Sequence, residues 1–247
     1  MSKFAVIIPG AGQGERFGDS QNKIFAKLDG RPLFIRTLEH FVNRDDVCQT
    51  ILVLSGRDLE TVKSKYGPNV AFMGVKVVEG GPTRCESVAS GLKALADEAE
   101  YVAVHDAVRP CTTESMIDDV FAEAVKSGAA ILACPIQGTL KRVSEGGTID
   151  ETVPRAQLYE AQTPQVFKRD VILEAYTKAP DGDDVEITDD AQLVELSGHP
   201  VSVVTSDPSN LKITSKADIT MGNAVLKARP TRQVKKGRLG AFEEAQW

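Results

Sequence analysis

An α/β fold with a Rossmann-like, mainly parallel sheet flanked by helices is predicted by three features of the sequence. Short β-branched runs alternate with longer amphipathic stretches through the first half of the chain, which is the rhythm of βαβ units. The runs are apolar on both faces, as strands covered by helices on both sides must be. A glycine-rich segment follows directly on the first run.

Five strands are read at 4–9, 50–55, 70–78, 101–105 and 129–135. A first helix starts near Pro32, a residue favoured in the first turn, and buries Leu33, Leu38, Phe41 and Val42. A second follows Arg57-Asp58 with Asp58 as N-cap, and a third opens at Thr83 with Val88, Leu92 and Leu95 along one face. The fourth covers 113–127 and stops at Gly128. After Pro135 the rhythm breaks. Residues 139–162, with β-prone pieces around Gly146-Gly147, read as a hairpin or arm, and a projecting arm is naturally covered by a second subunit of a homodimer. Helical patterns resume at 168–179 and 188–197, followed by a strand at 201–205 and a helix at 215–227. The acidic turn 180–184 lacks EF-hand spacing and reads as a solvated loop, and the basic residues after Lys227 read as a frayed tail.

Composition narrows the classes. The 247 residues are 42% hydrophobic and 26% charged, enough for a sizeable core under a well-solvated surface. Apolar runs such as 4–9 fall far short of the roughly 20 residues that cross a bilayer, so no membrane partner is expected. A net charge of −6 argues against nucleic acid, which demands a basic footprint. Cys48, Cys85, Cys111 and Cys134 lie far apart with no C-x-x-C pair, so neither zinc nor a disulfide framework is indicated. Reduced thiols and a first strand that begins at once lead to the expectation of a cytoplasmic location.

The chemistry begins at Pro9-Gly10-Ala11-Gly12-Gln13-Gly14-Glu15-Arg16-Phe17-Gly18. Small residues let backbone N–H groups turn inward around anionic oxygens, and Arg16 adds a fork of donors. The Walker A pattern fails because no Gly-Lys-Ser or Gly-Lys-Thr closes the loop. A dinucleotide site needs a helix to begin in the loop and an acidic residue after the second strand. The chain has polar Asp19-Ser20-Gln21-Asn22-Lys23 and Ser55-Gly56-Arg57 at those places. Glycines with Arg16 and Lys23 suit nucleotidyl transfer, in which an oxygen attacks the α-phosphorus of a nucleoside triphosphate and pyrophosphate leaves. The plainer alternatives are that Arg16 caps a helix and Lys23 is solvated.

Further segments extend the pattern: Glu79-Gly80-Gly81-Pro82-Thr83-Arg84-Cys85-Glu86-Ser87-Val88, His105-Asp106-Ala107-Val108-Arg109-Pro110, Thr152-Val153-Pro154-Arg155, Ala161-Gln162-Thr163-Pro164-Gln165-Val166-Phe167, Thr188-Asp189-Asp190-Ala191 and Asn210-Leu211-Lys212-Ile213-Thr214. In this order, over roughly 4–226, the chain resembles the 2-C-methyl-D-erythritol 4-phosphate cytidylyltransferases of the non-mevalonate isoprenoid pathway. The resemblance implies transfer of CMP from CTP to 2-C-methyl-D-erythritol 4-phosphate, giving 4-diphosphocytidyl-2-C-methyl-D-erythritol and pyrophosphate. It also implies one nucleotidyltransferase domain at 1–228, a dimerisation arm at about 137–162 and a flexible tail at 229–247.

Residue by residue, the resemblance makes Arg16, Lys23, Arg155 and Lys212 catalytic. Pro9, Gly10, Ala11, Gly12, Gly14, Gly80, Gly81, Ser87 and Ala107 bind CTP. Asp106, Arg109, Thr163 and Thr188 hold the polyol phosphate. Asp106 lies at the carboxyl edge of a buried strand, where a carboxylate beside a triphosphate suits Mg²⁺ as metal ligand, or accepts from substrate hydroxyls. Arg109 can instead pair with it, Ser87 can bond its own backbone, and Arg155 can form a surface ion pair. As part of the arm, Arg155 is expected to reach the partner subunit's site. His105 reads as packed, since this phosphodiester formation demands no imidazole base.

Several positions depart from the family pattern. Family members commonly carry Pro-Lys-Gln or Pro-Lys-Ala after the glycine loop, whereas Asn22 precedes Lys23 and Ile24 follows, which implies a less rigid delivery of Lys23. Glu79 stands where aspartate is common, Pro82 fills the next variable place, and the basic tail runs past the usual end. No charged group is lost, so activity is expected. Ribitol 5-phosphate cytidylyltransferases look similar and are the nearest alternative, with Thr163, Thr188 and Lys212 favouring methylerythritol phosphate. A non-catalytic nucleotide-binding relative is the alternative from another class, because fold alone never implies activity.

Overall fold

In chain order the strands are β1 (Phe4–Pro9), β2 (Lys27–Leu28), β3 (Arg31–Pro32), β4 (Val47–Leu54), β5 (Lys76–Glu79), β6 (Tyr101–Val104), β7 (Ala129–Pro135), β8 (Leu140–Val143), β9 (Ile149–Val153), β10 (Tyr159–Lys168) and β11 (Ser202–Thr205). The helices are α1 (Leu33–Glu39), α2 (Gly56–Phe72), α3 (Arg84–Leu92), α4 (Glu114–Ser127), α5 (Arg169–Thr177), α6 (Asp190–Leu196) and α7 (Lys216–Ala228). The computed structural model describes residues 2–12, 22–180 and 186–229. Gly14 and Arg16, most of the acidic turn and the tail after 229 lie outside the described residues.

Seven strands form one sheet in the order β11-β7-β10-β6-β1-β4-β5. β1 runs parallel to both neighbours, β4 and β6, β5 is parallel to β4, and β11 is parallel to β7. Only β10 is antiparallel, to β6 and β7. Alternation along β1 sends Val6 and Ile8 to one face and Ile7 to the other. The first face packs on Phe34 and Leu38 of α1, Val62 and Val70 of α2, and Val120 and Phe121 of α4. The second packs on Val88 and Leu92 of α3, Ile172 of α5 and Val194 of α6. Each fully buried Ile, Leu or Phe contributes about 1.5–3 kcal/mol, so this double-sided burial makes β1 the rigid axis of the sheet. No helix among the described residues is long and apolar enough to cross a membrane.

Local signals set most helix ends. Thr83 caps α3 in a capping box with Glu86, Thr113 caps α4, and Gly128 ends α4 in the left-handed region at φ 88. The cap of α2 is Ser55, whose hydroxyl oxygen accepts from the Asp58 N–H, so Asp58 sits inside the helix. Pro32 is the residue before α1, and Phe41 is buried just past its end.

Three further sequence expectations are corrected. Residues 70–72 belong to α2, which runs past Pro68 because Val62, Val70 and Met73 are buried in the core, and tertiary burial overrides the local Gly67-Pro68 stop signal. The strand there starts only at Lys76. The arm is shorter than 137–162: β8 and β9 form a separate hairpin, whereas Tyr159 onward enters the central sheet as β10. Pro164 disguises this strand, and the sheet accommodates it where the register with β7 shifts between Ala161 and Gln165. The tail boundary also moves, since Arg229 donates to the Cys111 carbonyl and, at 3.2 Å, to Ser209 Oγ.

His105 follows β6, is fully buried, and lies 5.1 Å from the Phe41 ring. Its Nε2 faces the Arg109 carbonyl at 3.2 Å, which only accepts, so Nε2 carries the proton; Nδ1 then accepts from the Thr163 hydroxyl at 3.2 Å. Burial, outweighing the neighbouring Asp106 charge, pushes the imidazole down to about 3. The unfolded chain therefore takes up this proton first, and the contribution is complete above about pH 6.5 and declines towards pH 3.

Two outcomes are expected. Gly91→Val destabilises the fold by about 1–3 kcal/mol, because a Cβ at Gly91 would meet Ile7 Cγ2 at 2.7 Å; urea midpoints at unchanged slope check it. Unfolding free energy measured from pH 7 to pH 4 falls with a steeper slope in wild type than in His105→Gln, and equal slopes would remove His105 as the source.

Candidate functional site

The loops after β1, β5 and β6 meet at the carboxyl ends of their strands, where the chain turns from β4 and β5 on one side of β1 to β6 on the other. Open α/β sheets hold ligands at such a reversal. Pro9, Gly10, Ala11 and Gly12 form one wall of a cleft, Gly81 with Arg84 and Ser87 a second, and Asp106, Ala107 and Lys212 the floor. Lys23 also lines it.

The glycine positions have different reasons. Gly10 continues the sheet through its N–H to the Val53 carbonyl at 2.8 Å, and a Cβ at Gly12 would meet nothing within 4 Å. At Gly80 a Cβ would lie 2.6 Å from Ser87 Oγ, and at Gly81 2.4 Å from Glu86 Cβ. Only glycine lets that turn press against α3. Ser87 is buried and donates to the Gly81 carbonyl at 3.2 Å, which fastens the turn to the helix.

Asp106 is 6% exposed, with Lys212 Nζ at 3.0 Å, Arg109 Nε at 3.3 Å and Arg84 Nε at 3.7 Å. Burial alone would push its carboxyl up; Lys212, Arg84 and Arg109 outweigh that and hold it well below the usual carboxylate range. Lys212 and Arg84 face the cleft, whereas Arg109 lies behind Asp106 and donates to the Asn210 carbonyl at 2.8 Å. Thr163 is buried as well. Its hydroxyl accepts from the Asp106 N–H at 3.0 Å while donating to His105. Arg109 and Thr163, expected to touch substrate, thus do not line the cleft among the described residues; they hold the loop that carries Asp106.

Thr188 is exposed just before α6, with its hydroxyl on Gln192 Oε1 at 3.0 Å, and is also off the cleft wall. Arg155 follows β9, is exposed, and donates to the Gln137 carbonyl; it is not among the described residues that line the cleft of its own chain. Asn22, expected to loosen the delivery of Lys23, does the opposite. It is 8% exposed, its amide donates to the Gly10 carbonyl at 3.0 Å and to Asp58 Oδ2 at 2.8 Å, and its oxygen accepts from the Ile24 N–H at 3.2 Å.

Arg84 is a site residue that sequence reasoning passed over. Its Nη2 lies 2.7 Å from Asp190 Oδ2, and Asp190 also accepts from the Tyr176 hydroxyl at 2.6 Å. Desolvation would lower the guanidinium, but Asp190 and Asp106 raise it above its ordinary value. A signal existed: Arg84 is the first residue of α3, where the helix dipole disfavours a cation unless carboxylates hold it.

Mg²⁺ on Asp106 does not fit this arrangement. Asp106 is the one acidic side chain lining the cleft among the described residues, and both of its oxygens face cations. No buried side-chain oxygen or nitrogen among the described residues lacks a hydrogen-bond partner, and no group of three or more metal-ligating side chains occurs there. A metal at this carboxylate would have to displace Lys212 and repel Arg84.

Residues 4–228 match the family model described as IspD, 2-C-methyl-D-erythritol 4-phosphate cytidylyltransferase. The chain is 43% identical over 233 residues to the enzyme so named from Rhodopirellula baltica, covering 90% of this chain and 94% of that one. A relative of the same name from Alkaliphilus metalliredigens is 38% identical over 92% of this chain and 95% of its own. Among solved structures, 2-C-methyl-D-erythritol 4-phosphate cytidylyltransferase from Thermus thermophilus superposes with a TM-score of 0.75 at 31% identity, covering 92% of this chain and 100% of that one. The 4-diphosphocytidyl-2C-methyl-D-erythritol synthase from Anaerococcus prevotii gives 0.76 at 30% identity, covering 92% and 99%. With a family match that spans all seven strands of the sheet and every described wall of the cleft, this chain belongs to the 2-C-methyl-D-erythritol 4-phosphate cytidylyltransferase family.

Proposed function

We propose that the cleft transfers CMP from CTP to 2-C-methyl-D-erythritol 4-phosphate in isoprenoid precursor biosynthesis. The observation that carries this reading is the buried Asp106 flanked by Lys212 and Arg84 on the floor of a glycine-walled cleft, in a chain that matches the family over 4–228. A phosphate oxygen of the polyol substrate attacks the α-phosphorus of CTP; the new P–O bond forms as the bond to the β-phosphate oxygen breaks, and pyrophosphate carries the electron pair away. The nucleophile arrives already ionised. No general base is needed, which agrees with the neutral, buried His105.

The difficulty is repulsion between a phosphate dianion and a triphosphate, and positioned cations relieve it. Lys23, Lys212 and Arg84 supply them from the described walls, and Arg16 is assigned the same task. Pro9 to Gly12 and Gly14 cradle the triphosphate. Gly80, Gly81, Ser87 and Ala107 hold the nucleoside. Asp106 keeps the cations in place and accepts from a polyol hydroxyl, and Thr188 is assigned to the polyol phosphate. Mg²⁺ is assigned to no described residue.

Arg155 completes the site from a second copy of the chain. The support is that it sits off its own cleft, beside a hairpin with Val143 54% and Ile149 62% exposed, apolar surface that a partner subunit would cover. A homodimer of one domain each is the assembly this supports, and we assign it to the cytoplasm.

Purified protein with CTP, Mg²⁺ and methylerythritol 4-phosphate is expected to release pyrophosphate, and ribitol 5-phosphate is not expected to replace the acceptor; release with ribitol 5-phosphate alone would sink the assignment. Lys23→Ala lowers turnover on the order of 100-fold with the fold intact, and near-normal turnover would exclude it from the transition state. Arg155→Ala raises KM for the polyol phosphate and leaves that for CTP unchanged. At polyol phosphate concentrations far below the KM of Arg155→Ala, mixing Arg155→Ala and Lys23→Ala subunits restores about a quarter of wild-type activity if Arg155 acts across a twofold interface, and no recovery would place it in its own site.

A further inference from the structure

We infer that Asn22 and Asp58 are positioning residues that set Lys23 against the glycine loop, an inference that rests on Lys23 contacting the reacting phosphates. Lys23 opens a three-residue 3-10 turn, Lys23–Phe25, whose other two side chains are buried in the core. Asn22 is the cap of that turn. Its amide has one arrangement compatible with its partners, because Gly10 O and Asp58 Oδ2 only accept and Ile24 N only donates. Asp58 Oδ2 also accepts from Ser55 Oγ at 2.7 Å, and Ser55 in turn accepts from the Asp58 N–H. One buried amide therefore joins the exit of β1, the turn carrying Lys23 and the first turn of α2. Displacing the backbone of the turn that carries Lys23 along the wall would strain these Asn22 bonds together.

The placement matters because transition-state contacts tolerate little displacement, and about 1 Å can lower a rate on the order of 100-fold. Asn22 has φ −58, an angle that proline also holds, so backbone angle and side-chain clamp can be separated by substitution.

The test is steady-state turnover of CTP and methylerythritol 4-phosphate by Asn22→Ala, Lys23→Ala and the double variant, with circular dichroism for the fold. Asn22→Ala is expected to lower kcat on the order of 10-fold to 100-fold while both KM values stay within about 2-fold. In the Lys23→Ala background the same change is expected to add less than about 2-fold, because it has nothing left to position. Equal losses in both backgrounds would make Asn22 a general structural residue and overturn the inference. Asn22→Pro should fall as far as Asn22→Ala, and wild-type turnover there would show that the backbone angle suffices. Should Asn22→Ala not fold, Asp58→Asn, which keeps the shape and weakens the bond, is expected to show the same dependence on Lys23; its independence of Lys23 would count against the clamp. Normal turnover by Lys23→Ala itself would overturn the role of Lys23 separately.

Discussion

A carboxylate taken out of water must be met by positive charge, and the site is organised around that requirement at Asp106. Its effective desolvation penalty is several kcal/mol, so the fold holds it charged only by bringing cations from separate parts of the chain. Arg109 comes from the same loop, Arg84 from the start of α3 and Lys212 from the segment before α7. With Asp190 included, three cations and two carboxylates leave a net positive cluster at the cleft floor. Asp106 thereby gathers cations that would otherwise repel one another, and an incoming polyphosphate meets charge already in place.

Support for this cluster comes from behind rather than from the cleft. The Asp106 N–H donates to Thr163, Thr163 donates to His105, and His105 donates to the Arg109 carbonyl. Such a network is unfavourable when half satisfied and rigid when complete, and among the described residues each buried side-chain nitrogen and oxygen has its partner. β10 matters to function for the same reason: it runs between β6 and β7 and delivers Thr163 beneath the loop. Gln165, two residues on, receives the Asp190 and Ala191 N–H groups and so locks α6 against the sheet behind Arg84.

The other wall is built differently. Where the resemblance leads one to expect proline before the lysine, this chain has a buried asparagine that crosslinks Gly10, Asp58 and the Lys23 turn. Proline stiffens a turn by removing a backbone freedom, whereas asparagine stiffens it by adding partners.

The sequence by itself determined the mainly parallel α/β sheet, the helix starts at Thr83 and near Thr113, the stop at Gly128 and the segments that converge on the cleft, because strand burial, helical periodicity and glycine turns are local and periodic properties. It also identified Lys23, Asp106 and Lys212 as charges of one site. Tertiary structure decided the rest. Whether Thr163 and Arg109 face substrate or brace a loop depends on which side of Asp106 they approach, and that follows from β10 crossing the sheet despite Pro164. Whether Asn22 loosens or anchors Lys23 depends on Asp58, thirty-six positions away. Whether Arg84 is tolerated at a helix start depends on Asp190, and whether Asp106 is open to a metal depends on the cations that fold against it. These are long-range pairings, and no local pattern carries them.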